Sequence, residues 1–225
     1  MSDSRAAPKA RLAEARVMLV FSPELVRGRD PLEALSAAAP FVDVVQVRPK
    51  ALGGSGRTEA RAALEWCRRV LELAARLSPP PAVLVNDRVD VAMALSGEGL
   101  CGVHLGRDDC PPAEARALLG EQAWIGLSTH SASEVAAAAD EPVDYLGFGP
   151  VHPTATKGAE RGLGPERAWL ATEAATVPVF AIGGITALNV QALAPVRRVA
   201  VGAAILAAAD PAAAARGLRE LLLAG

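Results

Sequence analysis

RVMLVFSPEL, residues 16–25, decides how the chain folds. Five consecutive apolar residues, Val17 to Phe21, end at Ser22-Pro23. A short apolar run with no polar face reads as a strand covered on both sides, as in a parallel sheet flanked by helices. Two architectures use such strands. A doubly wound open sheet carries a glycine fingerprint directly after its first strand, and FSPEL offers none. The other architecture is a closed barrel.

The rest of the chain repeats the same unit. Further strand-like runs stand at 42–48, 82–87, 102–106, 124–130, 145–151, 177–184 and 198–205. Helix-like segments rich in Ala, Leu, Glu and Arg lie near 31–39, 58–77, 88–95, 112–119, 133–139, 165–174, 187–194 and 210–223. Eight β-then-α units in 225 residues predict a single-domain (β/α)₈ TIM barrel, a fold of roughly 250 residues. The barrel is expected over 16–225. Residues 1–15 are expected to be a flexible tail that frays or forms a short surface helix.

Composition narrows the function. Apolar residues make up 51%, enough for a large core, and the formal net charge is −2. That balance gives no electrostatic footprint for nucleic acid or an anionic membrane. Aromatics at 4% leave little for base stacking. The three cysteines are too few and scattered for a disulfide framework or a zinc site, which fits a reducing cytoplasm. MSDSRAAPKARLAEAR lacks the apolar core of a signal peptide, and no run of about 18 apolar residues suggests a membrane span. The expected partners are small molecules, with a homo-oligomer left open.

In this fold the chemistry sits where strands end at the C-terminal face. Gln46 and Arg48 share one side of the second strand by alternation and point into the barrel mouth. Arg48 offers a planar fork for phosphate, and Lys50 a mobile charge. Asn86-Asp87 end the third strand and Asp108-Asp109 follow the fourth. Carboxylates past neighbouring strands can converge on Mg²⁺, which accepts a few carboxylates together with water and substrate phosphate. Asp87 serves equally well as a helix N-cap, and spacing does not choose between Asp108 and Asp109. Ser128 and His130 end the fifth strand, and His104 inside the fourth reads as a hydrogen-bonded structural residue. Thr154, Thr156 and Lys157 lie on a loop too rich in Gly and Pro for a helix, either a solvated turn or a phosphate grip. Gly183-Gly184 and Gly202-Ala203 end the last two strands, where backbone N–H groups can meet a phosphate.

QVRPK, NDR, GVHLGRDD, IGLSTH, DYLGFGPVHPTATK and VFAIGGI, in that order, resemble the thiamine phosphate synthase family from about residue 16 to 222. The resemblance implies coupling of a hydroxymethylpyrimidine diphosphate to a hydroxyethylthiazole phosphate, with release of pyrophosphate. It implies that Gln46, Arg48, Lys50, Asn86, Ser128 and Lys157 hold the pyrimidine diphosphate. Asp87 and Asp109 would bind Mg²⁺. Thr154, Thr156, Gly184, Gly202 and Ala203 would hold the thiazole phosphate. Arg48, Lys50 and Lys157 would stabilise the departing charge, and the loop at 150–164 would close over the site.

Five positions, at four places, depart from that pattern. Pro49 stands for Glu, Arg107 for Gln, His152 for an aromatic, and Gly202-Ala203 for an apolar residue followed by Ser. The last removes a hydroxyl from the thiazole phosphate, a loss of roughly 1 kcal/mol. Two other readings use the same barrel. A thiazole tautomerase would raise His130 to general base and need no metal, and a non-catalytic binder would keep only the phosphate sites.

Overall fold

The computed structural model describes residues 9–26, 28–49, 56–154 and 161–224. Eight parallel strands close into a barrel in chain order, β1 pairing with β8. They are β1 (Val17–Phe21), β2 (Val44–Val47), β3 (Ala82–Asn86), β4 (Gly102–Leu105), β5 (Trp124–Thr129), β6 (Tyr145–Phe148), β7 (Val179–Ile182) and β8 (Val199–Val201). The helices are α1 (Ala10–Glu14), α2 (Pro31–Ala38), α3 (Gly56–Ala74), α4 (Val89–Leu95), α5 (Pro112–Leu119), α6 (Ala132–Ala137), α7 (Pro165–Ala174), α8 (Ala203–Leu206) and α9 (Pro211–Ala224). The eight-unit barrel expected from the sequence is therefore the fold.

Alternation along each strand builds two cores. Val17, Leu19, Phe21, Val45, Val47, Val83 and Val85 point outward and pack with the helices. Met18, Val20, Val44, Ala82, Leu84, Trp124, Tyr145, Phe180 and Ala200 form a separate cluster inside the barrel. The strands read as continuous apolar runs because both of these faces are buried. Asp30 caps α2 by accepting the Leu32 N–H at 2.7 Å, and Ser131 caps α6 through the Glu134 N–H at 3.2 Å.

Three expectations change. Residues 10–14 form the short helix expected as the alternative to a frayed tail, but it is packed in place: Leu12 and Ala15 are buried in the inner cluster and close the N-terminal end of the barrel. Lys9 holds this plug to Asp144 at 2.7 Å, and Arg198 donates to the Ala13 carbonyl at 2.7 Å. Residues 1–8 lie outside the described residues. The segment 187–194 forms only a 3₁₀ turn at Val190–Leu193. Asn189 diverts its start by accepting the Thr186 N–H and donating to the Gly184 carbonyl, and Ala194, extended at ψ 131° before Pro195, ends it. The eighth strand stops at Val201, and residues 203–205, expected to continue it, fall in helix α8. Gly202 turns the chain between them with φ −115° and ψ −86°.

Candidate active site

A cavity of about 500 Å³ opens at the C-terminal ends of the strands. Its lower wall is apolar, with Met18, Val20, Phe180, Ile182 and Ala200. Its upper wall carries Gln46, Arg48, Asn86, Asp87, Asp109, Ser128, His130, Thr154, Gly184, Gly202 and Ala203. Lys50, Thr156 and Lys157 lie outside the described residues.

Gln46, on the inward row of β2, is buried at 3% exposure, with its amide 3.7 Å from the Met18 sulfur. Arg48 follows one pair of residues later. Its N–H bonds the Phe21 carbonyl at 2.8 Å and its carbonyl accepts the Ser22 hydroxyl at 2.8 Å, which fixes the backbone that launches the guanidinium.

Asp87 is the one non-glycine residue with positive φ, 62°, among the described residues. The Arg88 N–H bonds back to the Asn86 carbonyl at 2.8 Å, so Asp87 is the centre of a tight three-residue turn. A γ-turn with positive φ is a strained place to hold a side chain. The Asp87 carboxylate accepts from the Asn86 amide. It is not a helix cap: Arg88 holds the cap position of α4 with no side-chain cap bond. Arg88 pairs instead with Asp90, and that hydrogen bond holds the Asp90 carboxyl below its usual range and the guanidinium above its own.

Asp109 accepts the Gly106 N–H at 2.7 Å, and a Cβ at position 106 would sit 2.7 Å from the same carboxylate oxygen. Glycine at 106 is what lets the carboxylate fold back to the cavity. Asp109 lines the wall whereas Asp108 is exposed and does not. His130 is held by Glu134, which accepts its N–H at 2.7 Å and lies 3.2 Å from its ring nitrogen Nδ1. Arg107 reaches the same carboxylate at 3.8 Å.

On the opposite wall two glycine loops face each other. Gly183 and Gly184 have φ 101° and 62°, conformations that favour glycine, and a Cβ at 184 would run into the Pro153 carbonyl and His152. Ala203 and Ala204 begin α8 ahead of its first inward donors, since Ile205 and Leu206 both bond back to the Gly202 carbonyl. A Cβ on Gly202 would stand 3.2 Å from the Val20 carbonyl and 3.4 Å from Leu25 Cδ1, so Leu25 takes the room an apolar residue at 202 would need.

The family model for thiamine monophosphate synthase matches residues 17–205. The chain belongs to the thiamine monophosphate synthase family. It is 39% identical over 219 residues to a thiamine-phosphate synthase of Synechococcus sp. (strain WH7803), covering 95% of this chain and 59% of that protein. It is 41% identical over 219 residues to a thiamine-phosphate synthase of Mycobacterium sp. (strain KMS), covering 94% of each. The chain thus spans little more than half the length of the first relative and nearly all of the second. Among solved structures it superposes on thiamine phosphate pyrophosphorylase from Pyrococcus furiosus with TM-score 0.77 and 26% identity, over 96% of this chain and 98% of that one.

Within this thiamine monophosphate synthase fold, sequence reasoning did not single out Tyr145, and it read His104 as a hydrogen-bonded structural residue without placing it at the cavity. Tyr145 and His104 both line the cavity, joined by a 3.0 Å hydrogen bond, and His104 also bonds Ser128 at 3.0 Å. The signal was available: both stand on inward rows, His104 two residues before Gly106 and Tyr145 two before Gly147. No helix of the described residues is long and apolar enough to cross a membrane.

Proposed function

We propose that the chain couples a 4-amino-2-methyl-5-hydroxymethylpyrimidine diphosphate to a 4-methyl-5-(2-hydroxyethyl)thiazole phosphate, giving thiamine phosphate and pyrophosphate. The carrying observation is one cavity that combines Asp87 and Asp109, from the ends of β3 and β4, with Arg48 and the two glycine loops. Family membership and the named relatives support the same reaction.

The donor set fits Mg²⁺. The described residues hold no group of three or more His, Cys, Asp or Glu able to cage a metal. Two loop carboxylates suit a hard cation that keeps water and takes substrate phosphate as its remaining ligands. Asp87 and Asp109 would hold it, and it would supply charge neutralisation to the departing diphosphate.

In the reaction the bond between the pyrimidine methylene and the diphosphate oxygen breaks, and its electron pair leaves with pyrophosphate. The thiazole nitrogen lone pair forms the new carbon–nitrogen bond. Arg48 stabilises the charge gathering on the leaving group, with Lys50 and Lys157 assigned the same role from the sequence. Gln46, Asn86 and Ser128 hold the pyrimidine diphosphate. Thr154, Thr156 and the backbone of Gly184, Gly202 and Ala203 hold the thiazole phosphate. The apolar lower wall keeps water from the methylene while its bond is open. No proton must be removed to make the new bond, which accords with a His130 already engaged by Glu134. Three free cysteines accord with a reducing cytoplasm.

Pyrophosphate release with both substrates and Mg²⁺, absent when either substrate is omitted or EDTA is in excess, is the expected result. Isomerisation of the thiazole in EDTA without coupling would transfer the assignment to a tautomerase. Ligand binding with no turnover would leave a binding barrel.

A further inference from the structure

Tyr145 is fully buried in the inner cluster, and its hydroxyl lies 3.0 Å from His104 Nδ1. His104 Nε2 lies 3.0 Å from the Ser128 hydroxyl. The two rings stack at 5.4 Å. Two glycines make the room: a Cβ at 126 would run into the Tyr145 ring, and a Cβ at 147 would press on His104 Cε1 at 3.1 Å.

The proton positions in this chain can be worked out. Burial raises the Tyr145 pKa, so the hydroxyl keeps its proton. The hydrogen bond of that hydroxyl runs to His104 Nδ1 at 3.0 Å. A buried O–H without an acceptor is costlier than an unpaired lone pair, so the hydroxyl gives its single proton to His104 Nδ1. A neutral imidazole accepting at Nδ1 carries its proton on Nε2 and donates to Ser128. The Ser128 hydroxyl then has its own proton left for the cavity.

We propose that Tyr145 and His104 are positioning residues that fix the Ser128 hydroxyl as a hydrogen-bond donor toward the diphosphate of the pyrimidine substrate. The proposal rests on the reading that this cavity takes a diphosphate. Phosphate oxygens only accept, so the reverse sense, with Ser128 donating to His104, would turn a lone pair toward the anion. Tyr145 selects between the two senses without touching the ligand.

Three measurements test it. Nitrogen NMR of the imidazoles is expected to show His104 with its proton on Nε2, and a proton on Nδ1 would overturn the proposal. In the coupling assay, Tyr145→Phe is expected to raise KM for the pyrimidine diphosphate about 10-fold, the scale of one hydrogen bond to a charged group. KM for the thiazole phosphate should stay within about 2-fold, since one local donor is altered. An equal rise for both substrates, or none, would mean that the pair only supports the fold. His104→Leu should behave like Tyr145→Phe, and His104→Gln, which keeps an N–H toward Ser128, should recover most of the loss. If the wild-type chain shows no coupling, the functional reading fails and binding of Mg²⁺-pyrophosphate decides alone. Weaker binding in His104→Leu with recovery in His104→Gln upholds the proposal, whereas equal binding in all three, or none in wild type, overturns it.

Discussion

Asp87 is the residue whose replacement separates structure from chemistry most cleanly. It holds φ 62° in a tight turn and presents a carboxylate to the cavity. Asp87→Asn preserves the volume and one acceptor oxygen, and exchanges the charged carboxylate for a neutral amide. Its expected effect on folding is within about 0.5 kcal/mol, or about 2 °C in Tm for a chain of this size. Asp87→Ala loses the acceptor of the Asn86 amide, a hydrogen bond worth about 1 kcal/mol, so Tm should fall about 2–4 °C. Asp87→Gly loses the same acceptor; it relieves the strain but loosens the unfolded chain, two effects of about 0.5–1 kcal/mol that nearly offset. Stability should therefore rank Asn near wild type, with Ala and Gly below. Activity should not follow that order. All three lose one of two carboxylates proposed for Mg²⁺, and even indirect supports of a metal site are worth about 10–100-fold. Turnover at fixed Mg²⁺ should drop about 100-fold or more in each variant, and the Mg²⁺ concentration for half-activation should rise. Thermal unfolding and initial rates across a Mg²⁺ titration measure both. An Asn variant with wild-type Mg²⁺ dependence, or activity losses that track the Tm losses, would refute the assignment.

Other outcomes follow from single positions. Ala203 is exposed on the cavity wall, so Ala203→Ser adds a hydroxyl without a clash. KM for the thiazole phosphate should fall about 5-fold, the equivalent of about 1 kcal/mol, with the pyrimidine KM unchanged in a two-substrate initial-rate assay. Gly126→Ala drives a methyl into the Tyr145 ring, and denaturant unfolding should report a loss of about 1–3 kcal/mol. Tyr145 is the only tyrosine in the chain. Its folded pKa is raised, first by burial, so its contribution to stability is fully present below the unfolded value near 10 and is lost as pH climbs above it. The tyrosinate absorbance band should appear only together with alkaline unfolding, and its appearance in the folded protein would contradict the burial.

Much of the barrel was legible because each strand is buried on two faces. Val17–Phe21 and Val44–Val47 announce themselves as apolar runs, and the interval between runs gives the helices. The misreadings came from short local interactions. The segment 187–194 carries helix-forming residues, yet Asn189 bonds the turn behind it before a helix can start. Residues 203–205 look like strand because Ala and Ile suit either state, and only the backbone at Gly202 breaks them away. At the site, parity placed Gln46 and Arg48, whereas the selection between Asp108 and Asp109 depends on how the Gly106 turn closes. Asp87 was ambiguous as cap or ligand because the same residue type serves both. The backbone at Arg88 excludes the cap. Tyr145 was overlooked because a tyrosine in an apolar run passes for core, which it also is.

The inward rows explain why the polar chain at the cavity exists at all. Lower on the barrel the rows carry Met18, Ala82 and Trp124, and higher up they carry Gln46, His104 and Ser128. Nothing in barrel packing requires that change. A buried polar group left without a partner costs about 1–3 kcal/mol, whereas exchanging both members of a pair for apolar groups of similar shape is close to neutral. Tyr145→Phe alone strands His104 Nδ1 and should destabilise by about 1–3 kcal/mol. Adding His104→Leu removes the stranded atom, so the double variant should recover most of that loss. Such a cycle, measured by denaturant unfolding, would show that the pair is dispensable to the fold while the double variant still binds diphosphate poorly. A double variant destabilised by the sum of its singles would instead make the pair a structural strut, and the polar layer would need no explanation from the ligand.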